Sequence, residues 1–248
     1  MSSEEWYGEY YYTDQHWKEN RWYPKKMLRP GDMDSAIAYA LGYTSYQEVR
    51  GSLGPAPYFQ GGSVIVPEDV PESTAAKQME TLMAGAKRIP KAVLSVGCGR
   101  GEIASALASV KIRTYATDPS VYLHEMIDRT MKEWCEHPSY MSFDRVGLKD
   151  VPRVIPRVFD TVIFCESLEH IPSEEFWGAW GFLKETLEKN GGLLIVTNWM
   201  GMHPINIDGT GKDHIARVDD ELFGKMAGDA KETVYREGSH LVLRFAMS

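Results

Sequence analysis

The chain has 248 residues, 43% of them apolar and 25% charged, enough for one α/β domain of ordinary size plus an extra segment. No apolar run approaches the roughly 20 residues of a membrane span, and the opening Met1-Ser-Ser-Glu-Glu-Trp6 lacks the basic-then-apolar pattern of a cleaved signal. A formal net charge of −8 disfavours nucleic acid as a partner, and three cysteines (Cys98, Cys135 and Cys165) without zinc-like spacing point to reduced thiols and a cytoplasmic location.

The chain changes character near residue 73. Before it, Trp6, Tyr7, Tyr10, Tyr11, Tyr12, Trp17, Trp22 and Tyr23 crowd the N-terminus, the later ones mixed with Lys18, Arg21, Lys25, Lys26 and Arg29. A short helix is expected over 33–41, closed by Gly42, and a Gly/Pro-rich connection runs from Gly51 to Gly62. From Ser73 helix and strand alternate. Ser73 reads as the N-cap of a helix whose face carries Met79, Leu82, Met83 and Ala86. The unbroken apolar run 92–96 reads as a buried parallel strand. It leads through Gly97-Cys-Gly-Arg-Gly101 into a helix carrying Ile103, Leu107 and Val110. A second strand follows at 114–117, a second helix from Ser120 to about Glu136, a weak third strand near 140–143, and a fourth strand at 160–165. Ser173 is expected to cap a helix bearing Phe176, Trp177, Trp180, Leu183 and Leu187, with Gly191-Gly192 stopping it before a fifth strand at 193–197. A last helix over about 219–227 precedes a hairpin, 232–236 with 240–245, around Glu237-Gly238-Ser239. This order predicts an α/β fold: a doubly wound, mostly parallel, seven-stranded Rossmann-like sheet with an antiparallel C-terminal edge strand. It divides the chain into an aromatic-rich N-terminal extension, 1–72, and a main domain, 73–248.

In such a sheet, ligands bind beyond the carboxyl ends of the strands, where strand order reverses. The exit of the first strand, Gly97-Cys98-Gly99-Arg-Gly101, is the primary candidate. Glycines let the backbone turn sharply and approach a ligand, and the helix start that follows favours an anionic group. Asp118, ending the second strand, has two oxygens able to accept both hydroxyls of a ribose. The dinucleotide fingerprint would need Gly or Ala at position 102, where this chain has Glu102. The alternatives are a tight turn without ligand and, more distantly, a nicotinamide-binding oxidoreductase.

Val93-Leu-Ser-Val-Gly-Cys-Gly-Arg-Gly101 resembles motif I of the class I S-adenosylmethionine (SAM) dependent methyltransferases. Phe159-Asp-Thr-Val-Ile-Phe-Cys-Glu-Ser-Leu-Glu-His-Ile-Pro172 resembles that family's motif after the fourth strand, and Asn190-Gly-Gly-Leu-Leu-Ile-Val-Thr197 its fifth-strand motif. The resemblance covers roughly 75–245. It implies that Gly97, Cys98, Gly99 and Gly101 surround the amino-acid end of SAM, and that Asp118, followed by Pro119, binds the ribose. It further implies that Gly147 and Leu148 lie beside adenine, and that Cys165 and Glu166 line the sulfonium side. Two departures stand out. Ser95 occupies the place of the acid usually found two residues before the first glycine, and the adenine-binding acid expected across 147–150 has no clear counterpart.

The same stretch raises a metal question. On a turn leading into a helix, Glu166, Glu169 and His170 can converge, and a later His203 or His214 can complete a site for Mg²⁺ or Mn²⁺. That pattern resembles the metal-dependent small-RNA 2′-O-methyltransferases, an alternative set against the acidic charge of the chain. The other reading places His170 under the site or against substrate, and His214 as a general base in the loop before the last helix. The leading expectation is a methyltransferase for a small-molecule acceptor, with His214 and His170 as catalytic candidates. The metal-dependent RNA enzyme and a non-catalytic SAM-binding sensor or partner subunit are its rivals. The N-terminal aromatics read as a substrate lid, with sheet-edge packing, a homodimer contact and base stacking as the other uses.

Overall fold

The computed structural model describes residues 32–53, 58–60, 63–65, 75–121, 123–197, 218, 220–238 and 240–246. The N-terminal aromatic cluster, Ser73, His203 and His214 lie outside these described residues.

Two helices come first, α1 (Met33–Ala40) and α2 (Tyr46–Leu53), then a small antiparallel hairpin of β1 (Tyr58–Gln60) and β2 (Ser63–Ile65), and then α3 (Ala75–Ala84). The main domain follows as β3 (Ala92–Val96), α4 (Glu102–Ser109), β4 (Arg113–Thr117), α5 (His124–Trp134), β5 (Met141–Asp144), α6 (Val151–Val154), β6 (Thr161–Cys165), α7 (Ser173–Asn190), β7 (Leu193–Thr197), α8 (Asp220–Asp229), β8 (Glu232–Glu237) and β9 (His240–Arg244). Seven strands form one sheet in the order β5-β4-β3-β6-β7-β9-β8. The first five of that order are parallel, and β9 runs antiparallel to both β7 and β8. The closing hairpin thus completes one side of the sheet; its reversed strand is the last in sequence and lies one place in from β8. A β-bulge between Thr233 and Tyr235 breaks the register of this final pair.

Strand alternation explains the two faces. Leu94, Val96, Val162, Phe164, Leu194 and Val196 join one buried cluster, against Phe176, Leu183 and Leu187 of α7 and Phe223 and Met226 of α8. Their neighbours Val93, Ile163, Leu193 and Ile195 join the other, against α1, α3 and α4. With both faces covered, each central strand needs apolar residues on both sides, which is why 92–96 and 193–197 read as continuous hydrophobic runs.

Helix α1 is an integral layer of this core. Ala36, Ile37, Ala38, Tyr39, Ala40 and Leu41 have no exposed surface, and Gly42 at φ +89 turns the chain away after it, as expected of a glycine there. The two ends of α1 are tied to opposite ends of the sheet. The Thr197 hydroxyl donates to the Asp32 carbonyl (3.0 Å) at the carboxyl end of β7. At the other end the Arg88 guanidinium donates to the Ala40 carbonyl (3.1 Å), the Thr161 hydroxyl (2.8 Å) and the Asp160 carbonyl (2.9 Å). It also pairs with the Asp160 carboxylate at 3.0 Å, and that carboxylate accepts from Lys91 N.

Several expected boundaries shift for identifiable reasons. Ser173 begins α7 as its first helical residue; Pro172 holds the N-cap position and no side chain caps the helix. The helix expected from Ser120 starts at His124, because Ser120 N is drawn into a turn by the Asp118 carboxylate. Neither α2 nor the β1–β2 hairpin was expected; 51–62 read as a Gly/Pro-rich connection, and the residues just before it carried no helix assignment.

Removing Arg88 leaves Asp160 buried without its cation. Arg88→Met is expected to lower stability by roughly 3 kcal/mol, measured as a drop in the urea midpoint at an unchanged slope.

Candidate active site

The strand order steps outward from β3 in both directions, to β4 on one side and β6 on the other, so the exit of β3 is the topological switch point. The glycine loop occupies it. Gly97 (φ +62), Gly99 (φ +53) and Gly101 (φ +77) all adopt left-handed backbone, which strains any residue carrying a Cβ. Beyond that strain, they face different surroundings. A Cβ on Gly97 would sit 2.6 Å from the Ser167 Cβ, so the loop packs directly on the segment following β6. A Cβ on Gly99 would meet no atom within 4 Å, so this glycine faces open space. Gly101 is the N-cap of α4 without a side-chain cap, and Ser105 N donates to its carbonyl (2.8 Å).

Asp118 organises the loop. Its Oδ2 accepts from Gly99 N (3.1 Å) and its Oδ1 from Ser120 N (3.0 Å), while Cys98 N donates to the Thr117 carbonyl (3.0 Å). The loop after β3 is therefore stitched to the end of β4. Burial pushes the Asp118 carboxyl up to about 6, the two amide bonds pulling weakly the other way. Each oxygen accepts one amide, and a carboxylate has about four lone-pair sites, so acceptor capacity is left for hydroxyl groups. An open glycine face beside a buried acid with spare acceptors fits an adenosine-bearing ligand with an amino-acid end. Burial, followed by the charges of Asp118 and Glu102, also raises the Cys98 thiol, so it sits there as a small neutral group.

The other side of the site follows β6. Glu166 has φ +49, a left-handed conformation unusual for a non-glycine residue, and its amide donates to the Thr197 carbonyl (3.0 Å) across the ends of β6 and β7. The Ser167 hydroxyl reaches back to the Val96 carbonyl (2.8 Å), bracing the first glycine. Sequence reading passed over Ser167; its signal was only its place between two acidic candidates. Cys165 and Glu166 are half-buried.

Glu169 and His170 belong to a single 3-10 turn, Leu168–His170. Glu169 is buried at 3% exposure, and His170 Nε2 lies 3.8 Å from its Oε1. Among the described residues no three His, Cys, Asp or Glu side chains are grouped to hold a metal ion. Glu166, Glu169 and His170 alone thus make no such group, and His214, the fourth residue considered, lies outside the described residues.

Pro119 and Gly147 converge from the ends of β4 and β5. A Cβ on Gly147 would stand 4.0 Å from the Pro119 Cβ and 3.5 Å from Glu175 Oε2. Leu148, buried beside Gly147, packs into the core cluster that includes α7. Glu175 was absent from the sequence-derived site.

The family model described as a methyltransferase domain matches residues 72–221, more than half the chain. The chain belongs to this family. The matched region is a methyltransferase domain. Among solved structures, this methyltransferase is similar to magnesium protoporphyrin IX methyltransferase from Synechocystis PCC 6803 with bound S-adenosylhomocysteine (SAH), at 18% identity over 88% of this chain and 100% of that one, with a TM-score of 0.49. It is also similar to an O-methyltransferase family protein from Burkholderia thailandensis (14% identity, 64% of this chain, TM-score 0.48), of whose length it spans about half, 51%. N-methyltransferase NodS from Bradyrhizobium japonicum WM9 is another, at 17% identity over 64% of this chain and 87% of that one, with a TM-score of 0.46. No curated protein matches the chain at comparable significance.

The raised Asp118 carboxyl has a signed consequence for stability. In the native protein it holds its proton to about 6, against an ordinary 3.8 when unfolded. Between those values the native state binds more protons than the unfolded one, so this group's contribution falls as pH rises through about 6 and is fully unfavourable only about one unit higher. The stability difference between wild type and Asp118→Asn is expected to move in favour of the variant by about 2 kcal/mol from pH 4 to pH 7, read from urea unfolding at each pH.

Proposed function

We propose that this methyltransferase methylates a small-molecule acceptor, with the cofactor held across the glycine loop. In this reading Gly97, Cys98, Gly99 and Gly101 surround the amino-acid end of SAM. Asp118 and Pro119 hold the ribose, Leu148 flanks the adenine, and Cys165 with Glu166 lines the sulfonium side. The observation that carries it is the Asp118 carboxylate, positioned by two backbone amides beside the open face of Gly99. When bound, SAM supplies an electrophilic methyl group on a sulfonium.

The chain's own residues then position and shield. Asp118 accepts the ribose hydroxyls through the lone pairs its two amide bonds leave over. The strained Glu166 backbone fixes the wall next to the reacting methyl. His170, braced by Glu169, and His214 are proposed to take the proton released by the acceptor. The displacement is in line, so most of the rate is assigned to placement and only part to a base. The net charge of −8 supports a small acceptor over a polyanionic one. Residues 1–72 are proposed to supply a lid over the acceptor side, with α1 as its anchor in the core. No helix among the described residues is long and apolar enough to cross a membrane. Cys98, Cys135 and Cys165 are all free thiols, which suits a reducing, cytoplasmic setting.

Calorimetric titration with SAH tests the cofactor arrangement. Wild type is expected to bind, and Asp118→Ala to weaken binding by at least about tenfold; unchanged affinity in the variant removes Asp118 from the ribose. Gly99→Ala is expected to fold with a penalty of about 1–2 kcal/mol yet to lose SAH binding, because its methyl fills the open face. In methyl-transfer assays with a panel of hydroxyl, amine and carbon-acid acceptors, His214→Ala and His170→Ala are expected to slow turnover while SAH affinity stays within about twofold, less than one neutral hydrogen bond is worth. Loss of both together assigns the effect to folding.

A further inference from the structure

We infer that Glu175, in the first turn of α7, is the residue that selects adenine over other purines, by accepting the exocyclic amino group of the cofactor's base. This rests on the cofactor placement proposed above and names its missing recognition element.

The geometry runs outward from Asp118. The next residue, Pro119, lies beside Gly147: a Cβ on Gly147 would be in van der Waals reach of the Pro119 Cβ, at 4.0 Å. Any side chain at 147 would point at Glu175 Oε2, 3.5 Å from that Cβ. Glycine keeps this edge free of a side chain, and the Glu175 carboxylate lies next to the place a side chain at 147 would fill. Leu148, buried at 3% exposure, supplies an apolar neighbour suited to a base plane. A ribose held at Asp118 hands its base to the edge that Pro119, Gly147 and Glu175 form. Adenine carries an N–H donor pair at C6, and an ionised carboxylate is an acceptor only, so the pairing is charge-assisted. A 6-oxo purine presents an acceptor there and meets repulsion from the same oxygen.

Glu175 is half-buried and makes no hydrogen bond or ion pair among the described residues. Its neighbour Glu174 is exposed on the same first turn and can complement the helix dipole without it. Helix α7 is also firmly placed. Phe176 lies against Phe164 of β6 (ring centroids 6.0 Å), and Trp180 Nε1 donates to Asp229 Oδ2 of α8 (2.7 Å). Two other carboxylates lie on the stretch from the end of β5: Asp144, which ends β5 and is the rival acceptor, and Asp150, which pairs with Arg153 at 3.3 Å.

The test compares SAH with S-inosylhomocysteine, its 6-oxo counterpart, by calorimetry on wild type, Glu175→Gln, Glu174→Gln and Asp144→Asn. Wild type is expected to prefer SAH by at least about tenfold. Glu175→Gln, whose amide can both donate and accept, is expected to lose most of that preference by weakening SAH and strengthening the inosine compound. Glu174→Gln is expected to behave as wild type. Preference retained in Glu175→Gln, or lost in Asp144→Asn instead, overturns the assignment while leaving the cofactor site standing. Failure of folded wild type to bind SAH overturns the cofactor placement itself, a separate result. Because the inosine compound gains affinity in Glu175→Gln, misfolding cannot imitate the expected outcome.

Discussion

The site depends on one buried carboxylate. Asp118 follows β4, takes the amides of Gly99 and Ser120, and so ties the loop after β3 to the turn after β4, beyond the last register pair of the two strands, Val96 with Thr117. Each consequence is local and physical. Gly99 is held with its Cα facing outward, Ser120 is kept out of helix, and α5 starts only at His124. The burial that makes the carboxylate a good fixed acceptor also makes its charge unfavourable, which is why its proton is held to about 6. A surface aspartate would ionise freely but would be hydrated and mobile. The fold accepts an energetic disadvantage at this position and the site gains a preorganised acceptor.

The sheet explains why the carboxylate can be there at all. A doubly wound order opens a crevice only where consecutive connections leave in opposite directions, and here that is the exit of β3. The crevice must be flanked on both faces by packed layers to stay rigid. One face is closed by α7 and α8; the other is closed partly by α1, from a part of the sequence that precedes the repeating α/β pattern. Helix α1 spans the sheet from Thr197 at the active-site end to Arg88 and Asp160 at the opposite end. The ion pair far from the chemistry therefore shares a helix with the rim of the site, and packing errors at one end can reach the other.

Sequence reading reproduced the parts governed by local rules. The runs 92–96 and 193–197 became strands with those bounds, since buried parallel strands are uniformly apolar and end abruptly at glycine. Gly42 and Gly191 closed their helices in left-handed conformation as expected. What it missed depends on contacts distant in sequence. Ser173 looked like a cap, yet Pro172 already holds the N-cap position. Of Glu166, Glu169 and His170, the last two share one 3-10 turn with Glu169 buried, and the described residues alone form no metal group. The short α2 and the β1–β2 hairpin lack periodicity long enough to detect. The candidate cofactor positions were legible mainly through motif resemblance; Ser167 was not, because its task of bracing Val96 and Gly97 has no motif of its own.

Glu175 marks the limit of motif reading most clearly. A recognition acid on the loop after β5 would be found by position, but position 147 is glycine, and the acceptor arrives from a helix far along the chain. Such relocation has a mechanical consequence. A loop carboxylate answers only to its loop, whereas Glu175 is carried by a helix locked to the core through Phe176 against Phe164 and through Trp180 to Asp229. Base recognition then draws its rigidity from the same packing that supports β6, the strand whose end carries the strained Glu166. The proposed adenine contact and the proposed wall of the reacting methyl group thus rest on the same packing of α7 against β6. A change in that packing would shift both together, so cofactor choice and methyl placement cannot be tuned independently in this fold.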